Sequence, residues 1–228
     1  MEIAVLGTGG VGRTLAGALA ARGHDVVLGS RDPAAALANA DAHPRTGDTL
    51  TSWHEANPAV RIVTLAEAGS HGEVLLNATP GAVSVEALGA AGAAGFDGTI
   101  VLDVANPLAW SATGPALTVA VTDSLGETLQ RTYPGARIVK ALNTVTAAVM
   151  VDPGSLGDGE HTLPICGDDA EAKRRVAALL AGWFGWREVL DVGDITAARA
   201  TEAYLLYWIK LREVAGTNLV STKVVRST

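Results

Sequence analysis

The sequence is poor in several residue types, and each shortage excludes a class of protein. It has one cysteine among 228 residues, so no disulfide can form within the chain. No apolar run reaches the roughly 18 residues that a membrane-spanning helix needs. Charged residues make up only 18% and aromatic residues 4%, whereas hydrophobic residues make up 48%, which argues against global disorder. We expect a globular protein without membrane spans, and the lack of disulfides fits a cytoplasmic location.

Basic residues are outnumbered by acidic ones. With 17 Lys and Arg against 24 Asp and Glu, the net charge is −7, which argues against a general binder of nucleic acid or of anionic membranes.

We predict no metal site, because the five histidines show no metal-ligand spacing with Cys166. That cysteine is interpreted as a buried small apolar residue rather than a nucleophile. The histidines are His24, His43, His54, His71 and His161.

Short apolar runs alternate with helical patterns, and this rhythm predicts right-handed βαβ units and a parallel sheet. The predicted strands are 3–6, 25–28, 61–64, 74–77, 100–103 and 138–141, with a weaker candidate at 117–121. The predicted helices are 14–21, 33–42, 85–94 and 124–132. The polar region 43–60 is predicted to be a loop with at most a short helical turn.

The rhythm changes after residue 150. Strands are predicted at 163–166 and 188–191, and helices at 169–183 and 196–214. We predict a nucleotide-binding domain over 1–150 and a small C-terminal α/β cap over 151–228. The last helix is rich in Tyr, Trp and Leu, which suits either a homodimer interface or a cover for the sheet. Arg199 and Glu202 are three apart on this helix, so we expect them to pair with each other.

A glycine-rich turn follows the first predicted strand. Residues 7–12 read GTGGVG, which matches the G-x-G-x-x-G pattern between a strand and a helix. Gly7 suits a tight turn, Gly9 lets the backbone approach a pyrophosphate, and Gly12 permits close packing of helix and strand. The free amides at the start of the helix favour phosphates. The turn therefore predicts a dinucleotide site.

The end of the second strand indicates which dinucleotide is bound. An acidic residue that reads a ribose 2′-hydroxyl is expected about 20 residues after the glycine turn. Ser30 and Arg31 stand there instead, and both can donate hydrogen bonds to a 2′-phosphate. We therefore predict NADP(H). The alternative is a surface arginine paired with Asp32, a residue that also suits the N-cap of the next helix, with Pro33 at its first position.

Polar and turn-forming residues follow three further strands, at 77–80, 105–107 and 143–144. Ligands of open parallel sheets lie beyond the carboxyl ends of the strands, so these residues are candidates for the site. Ordinary turn chemistry explains the same residues, Asn77 and Asn106 in particular. Lys140 either counters a ligand charge or is a solvated lysine at a strand end.

A set of short segments, spread over nearly the whole chain, gives a more specific signal. After the glycine turn come GHDVVLGSR, NATPG, DVANPL, IVKALNTV, PICGDDAEAK and GDITAAR. In this combination the chain resembles the F420H2:NADP oxidoreductases, which pass hydride between the deazaflavin coenzyme F420 and NADP. It departs from some members at Asn143, where they carry histidine, and at residues 34–36, where they carry a basic residue and this chain has alanines.

The resemblance implies a Rossmann-type, doubly wound parallel sheet with a small C-terminal α/β segment over the nicotinamide. The cofactor-binding residues would lie in the glycine turn, at the end of the second strand and at two further strand ends. A second group, Thr79 and the loop of residues 143–145, would position the rings. The first group comprises Gly7, Thr8, Gly9, Gly10, Val11, Gly12, Ser30, Arg31, Ala78, Thr79, Pro80, Ala105, Asn106 and Pro107; the second adds Asn143, Thr144 and Val145.

The leading hypothesis is an oxidoreductase that exchanges hydride between NADP(H) and F420 or a flavin-like acceptor. Its partners would be small molecules, and its residues would act by positioning alone. One alternative is an NADPH-dependent reductase of a small carbonyl or imine, for which Lys140 would be the only candidate general acid. Another is a non-catalytic NADP(H)-binding protein.

Overall fold

The computed structural model describes residues 1–43, 47–112 and 114–227. The strands are β1 Glu2–Leu6, β2 Asp25–Ser30, β3 Arg61–Thr64, β4 Val74–Asn77, β5 Ile100–Asp103, β6 Leu108–Ser111, β7 Gly114–Leu117, β8 Arg137–Lys140, β9 Leu163–Ile165 and β10 Val189–Asp191. The α-helices are α1 Gly10–Ala20, α2 Pro33–Ala38, α3 Leu50–Ala56, α4 Leu65–His71, α5 Ser84–Ala90, α6 Leu125–Thr132, α7 Ala147–Val151, α8 Ala170–Phe184 and α9 Ala198–Ala215.

Six strands form one parallel sheet in the order β3-β2-β1-β4-β5-β8. This confirms the doubly wound α/β fold, because the order matches the Rossmann arrangement with β8 as its last strand. The register aligns the carboxyl ends: Leu6 lies opposite Gly29 and Asn77, Asn77 opposite Asp103, and Asp103 opposite Lys140. Residues far apart in sequence therefore meet at one edge of the sheet.

The strands at the centre of the sheet are covered on both faces, as their apolar runs predict. One core cluster contains Ile3 and Val5 with Leu15 of α1 and Leu180 of α8. The other contains Ala4 and Leu6 with residues of α5 and α6, among them Leu88. Alternation of side chains along β1 thus divides the core into two layers.

The C-terminal part adds a small α/β unit. Strands β9 and β10 pair in parallel, and Cys166, just after β9, forms an antiparallel bridge with Lys140 of β8. Trp183 and Phe184 of α8 belong to the same core cluster as Ile3. The domain boundary at residue 150 stays a prediction.

The prediction of a strand at 117–121 is wrong. Leu117 ends β7, which pairs with β6 in an antiparallel hairpin outside the main sheet. The Thr118 amide then bonds the carbonyl oxygen of Pro107, and Val121 adopts a φ of 68° with 85% of its surface exposed. After Leu117 the chain leaves the core and turns, so it does not form the predicted strand.

Two helices were missed in the sequence, α4 and α7, and region 43–60 contains a full helix, α3. Helix α4 begins with a capping box in which Thr64 and Glu67 bond each other's backbone amides. Helix α3 begins with the same arrangement between Thr49 and Ser52. The Thr-x-x-Glu pattern was readable in the sequence as a helix start. Residues 44–46 of region 43–60 lie outside the described residues.

No helix in the described part of the chain is long and apolar enough to cross a membrane.

Candidate active site

The glycine turn joins β1 to α1, and each of its three motif glycines has a distinct role. Gly7 has a φ of 107°, which favours glycine. A Cβ on Gly12 would lie 1.9 Å from the carbonyl oxygen of Gly7, so any side chain there would separate the helix from the turn. A Cβ on Gly9 would have no heavy atom within 4 Å. Gly9 therefore faces open space beside the start of α1, as a backbone that approaches a ligand must.

Region 43–60 contacts this turn, which the sequence motifs did not indicate. The amide of Gly10 donates to Nε2 of His43 at 3.2 Å. Arg13 of α1 holds the same segment, because its guanidinium donates to the carbonyl oxygens of Thr8 and Asp48 at 2.8 and 3.2 Å. The segment after α2 thus folds back onto the first turn of α1.

The end of β2 has the arrangement predicted for the helix cap. Asp32 accepts a hydrogen bond from the amide of Ala35 at 2.9 Å, with Pro33 at the first position of α2. The Ser30 hydroxyl donates to the carbonyl oxygen of Asp32. Among the described residues Arg31 forms no ion pair with Asp32 or with any other carboxylate. Its guanidinium is exposed at the edge of a cavity.

That cavity, of about 1110 Å³, lies beyond the carboxyl ends of the sheet strands. It brings together most of the residues predicted from the sequence: Gly7, Thr8, Gly9, Gly10, Val11, Ser30, Arg31, Ala78, Thr79, Pro80, Ala105, Asn106, Asn143, Thr144 and Val145. Gly12 is packed behind the turn, and Pro107 lies at the base of the β6–β7 hairpin, where its carbonyl oxygen accepts the Thr118 amide.

The cavity also has walls that sequence reasoning missed. Trp110 of β6 contributes one, with 65% of its surface exposed, and Met150 of α7 contributes another. Helix α9 supplies four residues, Leu205, Trp208, Ile209 and Arg212. An amphipathic pattern shows that a helix has an apolar face, but it does not show that the face covers a ligand site.

Lys140 is neither solvated nor part of the cavity wall, so the expectation of a solvated lysine is wrong. Its side chain is fully buried, and Nζ lies 2.7 Å from Oδ2 of Asp103 and 2.8 Å from Oε1 of Glu202. Nζ also donates to the carbonyl oxygen of Ala105 at 2.7 Å. Burial opposes the charged form, but the Asp103 and Glu202 carboxylates outweigh it and raise the pKa of Lys140. Lys140 is therefore a buried cation between two anions.

The predicted pairing of Arg199 with Glu202 is also wrong. Arg199 forms two short hydrogen bonds with Glu127 of α6. Besides its contact with Lys140, Glu202 accepts hydrogen bonds from the amides of Leu125 and Gly126 at 2.9 and 3.0 Å. These amides begin α6, where partial positive charge favours a carboxylate. Arg199 and Glu202 thus bind groups on other elements, and the contact that their spacing along α9 suggested is not formed.

The buried ion cluster reaches the cavity through a hydrogen-bonded chain. Asp103 accepts from Nδ2 of Asn77 at 2.8 Å, and Oδ1 of Asn77 accepts from the Thr79 hydroxyl at 2.6 Å. The hydroxyls of Thr79 and Ser84 lie 2.9 Å apart. Thr79 lines the cavity. The hydrogen bond from its hydroxyl to Asn77, which in turn donates to Asp103, fixes the position of that hydroxyl from the side of the core.

Asn143 contributes a buried polar group at the α9 end of the cavity. Its Nδ2 donates to Oδ1 of Asn106 at 3.1 Å and to the carbonyl oxygen of Thr201 at 2.9 Å. Asn106 in turn donates to the carbonyl oxygen of Asn143, so both amide orientations are fixed. Oδ1 of Asn143 has no hydrogen-bond partner among the residues that the structure describes, and the preceding Leu142 adopts a φ of 64°. A strained turn with an unpaired buried acceptor is typical of a ligand site.

Neither the cysteine nor the histidines line the cavity. Burial raises the pKa of the Cys166 thiol to about 12, so it stays protonated and unreactive. None of the five histidines is among the residues that line the cavity. Among the described residues there is no cluster of His, Cys, Asp and Glu that could hold a metal ion.

A glycine turn, a strand order of 3-2-1-4-5 with a sixth strand, and a cavity at the strand ends define a Rossmann-type dinucleotide-binding protein. A family model for NADP oxidoreductases dependent on coenzyme F420 matches residues 2–107. A candidate F420-dependent NADP reductase from Arthrobacter sp. FB24 is 47% identical, with a TM-score of 0.93 over 99% of this chain and 100% of its own. The chain belongs to this family of NADP-dependent oxidoreductases.

Two more distant proteins resemble this chain, one in sequence and one in structure. Metalloreductase STEAP3 of Rattus norvegicus is 29% identical over 89% of this chain, which spans only 36% of STEAP3. A reductive aminase from Aspergillus terreus, in complex with NADPH, is 18% identical, with a TM-score of 0.60 over 94% of this chain and 63% of its own. The aminase shows a shared fold.

Proposed function

We propose that this enzyme transfers hydride between NADP(H) and coenzyme F420 or a flavin-like acceptor. The observation that carries the proposal is one continuous cavity that extends from the glycine turn and Arg31 to helix α9. Its volume of about 1110 Å³ lies at the upper end of the range of about 300–1,000 Å³ that is usual for ligand cavities. Because it extends beyond the glycine turn to α9, it has room for a second partner beside the nucleotide.

The nucleotide would occupy the part lined by the glycine turn and the end of β2. The amides at the start of α1 would hold the pyrophosphate, which they favour through their partial positive charge. Ser30 and Arg31 would hold the 2′-phosphate, and Arg31 has no competing carboxylate partner among the described residues. Thr79 and Pro80 would border the nicotinamide ribose.

The acceptor ring would occupy the part lined by residues 143–145 and by α9. Leu205, Trp208 and Ile209 make this part of the cavity wall apolar, which suits a planar ring. NADPH would supply the hydride with its electron pair and become NADP⁺, and the deazaflavin would accept the hydride together with one proton from solvent. The residues of this chain then act by orienting the rings and excluding water.

The rival carbonyl or imine reductase needs a proton donor near the nicotinamide. No Tyr, Lys or His is among the described residues that line the cavity. The ammonium of Lys140, the only candidate from the sequence, is enclosed by Asp103, Glu202 and the carbonyl oxygen of Ala105. The site therefore favours an acceptor that requires no proton from a Tyr, Lys or His side chain.

Turnover with defined acceptors tests the proposal. We expect the purified protein to oxidise NADPH when given F420, with a matching loss of deazaflavin absorbance, and to leave NADPH unchanged without an acceptor. Steady-state rates with F420, with FMN and with a small ketone would rank the acceptors. Oxidation of NADPH with the ketone alone would replace this function by the rival one, and no oxidation with any acceptor would favour a binding protein.

Replacement of Arg31 tests the nucleotide assignment. We expect Arg31→Ala to weaken NADPH binding about 10- to 150-fold, because a hydrogen bond to a charged group contributes about 1.5–3 kcal/mol. NADH binding should stay the same. Arg174→Ala, which removes an exposed arginine on α8 outside the cavity, is the matched control. Equal losses for the two nucleotides would contradict a 2′-phosphate contact.

A homodimer and a cytoplasmic location remain predictions for this protein. Helix α9 exposes Tyr207 and Val214, with 56% and 90% of their surfaces accessible. It also turns Trp208 and Ile209 inward to the cavity. The exposed residues suit a homodimer interface and the inward residues suit a cover for the sheet, so both alternatives from the sequence stay open.

A further inference from the structure

The buried ion pair of Lys140 and Asp103 is bonded to two residues of the cavity wall. Asp103 accepts a hydrogen bond from the Ala105 amide at 3.2 Å, and Nζ of Lys140 donates to the Ala105 carbonyl oxygen at 2.7 Å. Ala105 lines the cavity, as does Thr79, which the ion pair reaches through Asn77. The function proposed above assigns this connection no role.

The neighbours of Asn77 determine how its amide is oriented. Its side chain is fully buried, and Nδ2 donates to Oδ1 of Asp103 at 2.8 Å. An exchange of the two amide atoms would turn Oδ1 toward the carboxylate, where two acceptors would face each other without a proton. Oδ1 of Asn77 therefore faces Thr79, whose backbone amide donates to it at 3.3 Å.

This orientation determines the polarity of the Thr79 hydroxyl. A threonine hydroxyl has one proton, and Oγ1 of Thr79 lies 2.6 Å from Oδ1 of Asn77, so the proton is donated to that amide oxygen. The hydroxyl of Ser84, at 2.9 Å, is able to donate to Thr79. Oγ1 of Thr79 can therefore act only as an acceptor toward any further group.

The order of the strands indicates which part of the nucleotide lies beside Thr79. Because β1 lies between β2 and β4, the glycine turn separates Arg31 after β2 from Thr79 after β4. A Cβ on Gly7 would lie 3.1 Å from the Thr79 amide, so the two loops are in contact. With the pyrophosphate at the turn and the adenosine at Arg31, the sugar on the β4 side is the ribose that carries the nicotinamide. Its hydroxyl groups are donors, which suit an oxygen that only accepts.

We propose that Asn77, held by Asp103, orients the Thr79 hydroxyl so that it accepts a hydrogen bond from a hydroxyl of the nicotinamide ribose. Thr79 is the contact residue, and Asn77 and Asp103 are positioning residues. The inference rests on the nucleotide arrangement proposed above and deepens it. The buried ion pair thereby acts on the ligand as well as on the stability of the core.

Three ligands that contain different parts of the nucleotide test the contact. NADPH has both riboses and the nicotinamide, 2′-phospho-ADP-ribose lacks the nicotinamide, and adenosine 2′,5′-bisphosphate also lacks the second ribose. We expect Thr79→Val to weaken the first two ligands about three- to tenfold, the range of one neutral hydrogen bond, and to leave the third unchanged. Isothermal titration calorimetry would measure all three without turnover.

Two further variants serve as controls for Thr79→Val. Thr79→Ser retains the hydroxyl and should bind all three ligands as the wild type does. Thr128→Val removes a hydroxyl on α6, outside the cavity, that donates to the carbonyl oxygen of Ser124 at 2.8 Å. It should also leave the three affinities unchanged.

A double-mutant cycle tests the positioning role of Asn77. Asn77→Ala removes the acceptor of the Thr79 proton, so it should weaken the same two ligands and spare adenosine 2′,5′-bisphosphate. Because Asn77 would act only through Thr79, the double variant should bind no more weakly than Thr79→Val alone. Asn77→Ser, which keeps a polar side chain at the buried position, is the second variant if Asn77→Ala does not fold.

Four outcomes would overturn the inference. Unchanged binding by Thr79→Val would mean that the hydroxyl does not contact the nucleotide. An equal loss for all three ligands would indicate a distorted cavity wall, and a loss for NADPH alone would place the contact at the nicotinamide instead of the ribose. Additive losses in the double variant would separate Asn77 from Thr79. Failure of the proposed function gives a different result, namely the expected binding pattern without oxidation of NADPH by any acceptor.

Discussion

Lys140→Met is expected to lower the free energy of unfolding by about 3–5 kcal/mol, the cost of removing one partner from a buried ion pair. The substitution leaves Asp103 and Glu202 as two anions in the core, where Met supplies no charge to balance them. Loss of Nζ also leaves the carbonyl oxygen of Ala105 without the bond at 2.7 Å. Denaturant unfolding of the variant and of the wild type would measure the difference.

An exposed pair provides the control for this prediction. Lys210 pairs with Glu213 on α9, with 70% and 49% of the side chains exposed, and such pairs contribute about 0–1 kcal/mol. Lys210→Met should therefore change the stability little. A loss below about 1 kcal/mol for Lys140→Met would contradict the buried ion cluster.

The pH dependence follows from the raised pKa of Lys140. A cation whose pKa is higher in the folded state stabilises the protein fully below its unfolded pKa, and loses this contribution as the pH rises through the folded value. The ion cluster therefore stabilises the wild type throughout the neutral range. The stability difference between wild type and Lys140→Met should persist there and diminish only at strongly alkaline pH.

The sequence analysis missed this cluster, although one half of it follows from the parallel sheet. Asp103 and Lys140 end neighbouring parallel strands, so a parallel sheet brings them to one edge. Glu202 lies 62 residues beyond Lys140, and no local pattern predicts a contact over that separation. Spacing along the helix suggested Arg199 instead, because a sequence shows helical neighbours but not the stronger partners that packing supplies.

The candidate site shows the same division between local and tertiary information. The glycine turn, the end of β2 and the strand-end residues were predicted, because each depends on a short motif and on the register of a parallel sheet. The contribution of α9 was not, since its residues reach the cavity only through the packing of the C-terminal segment. His43 was missed for the same reason: its contact with Gly10 spans 33 residues.

Gly9→Val is expected to abolish NADPH binding while the protein stays folded. Gly9 has φ −74° and ψ 179°, an extended conformation that any residue adopts, and its Cβ would contact no heavy atom within 4 Å. A valine side chain there would fill the space through which the pyrophosphate reaches the α1 amides. Loss of two charge-assisted hydrogen bonds, at about 1.5–3 kcal/mol each, corresponds to more than a hundredfold in affinity.

Two further glycines separate this effect from a general loss of folding. Gly182→Val adds the same side chain on α8, where a Cβ again meets nothing within 4 Å, so NADPH binding should be retained. Gly12→Val places its Cβ 1.9 Å from the carbonyl oxygen of Gly7, so the turn must distort and the stability itself should fall. Nucleotide titration and thermal unfolding of all three variants would distinguish these cases. Normal NADPH binding by a folded Gly9→Val protein would place the nucleotide away from the glycine turn, because no phosphate can occupy space that the valine fills.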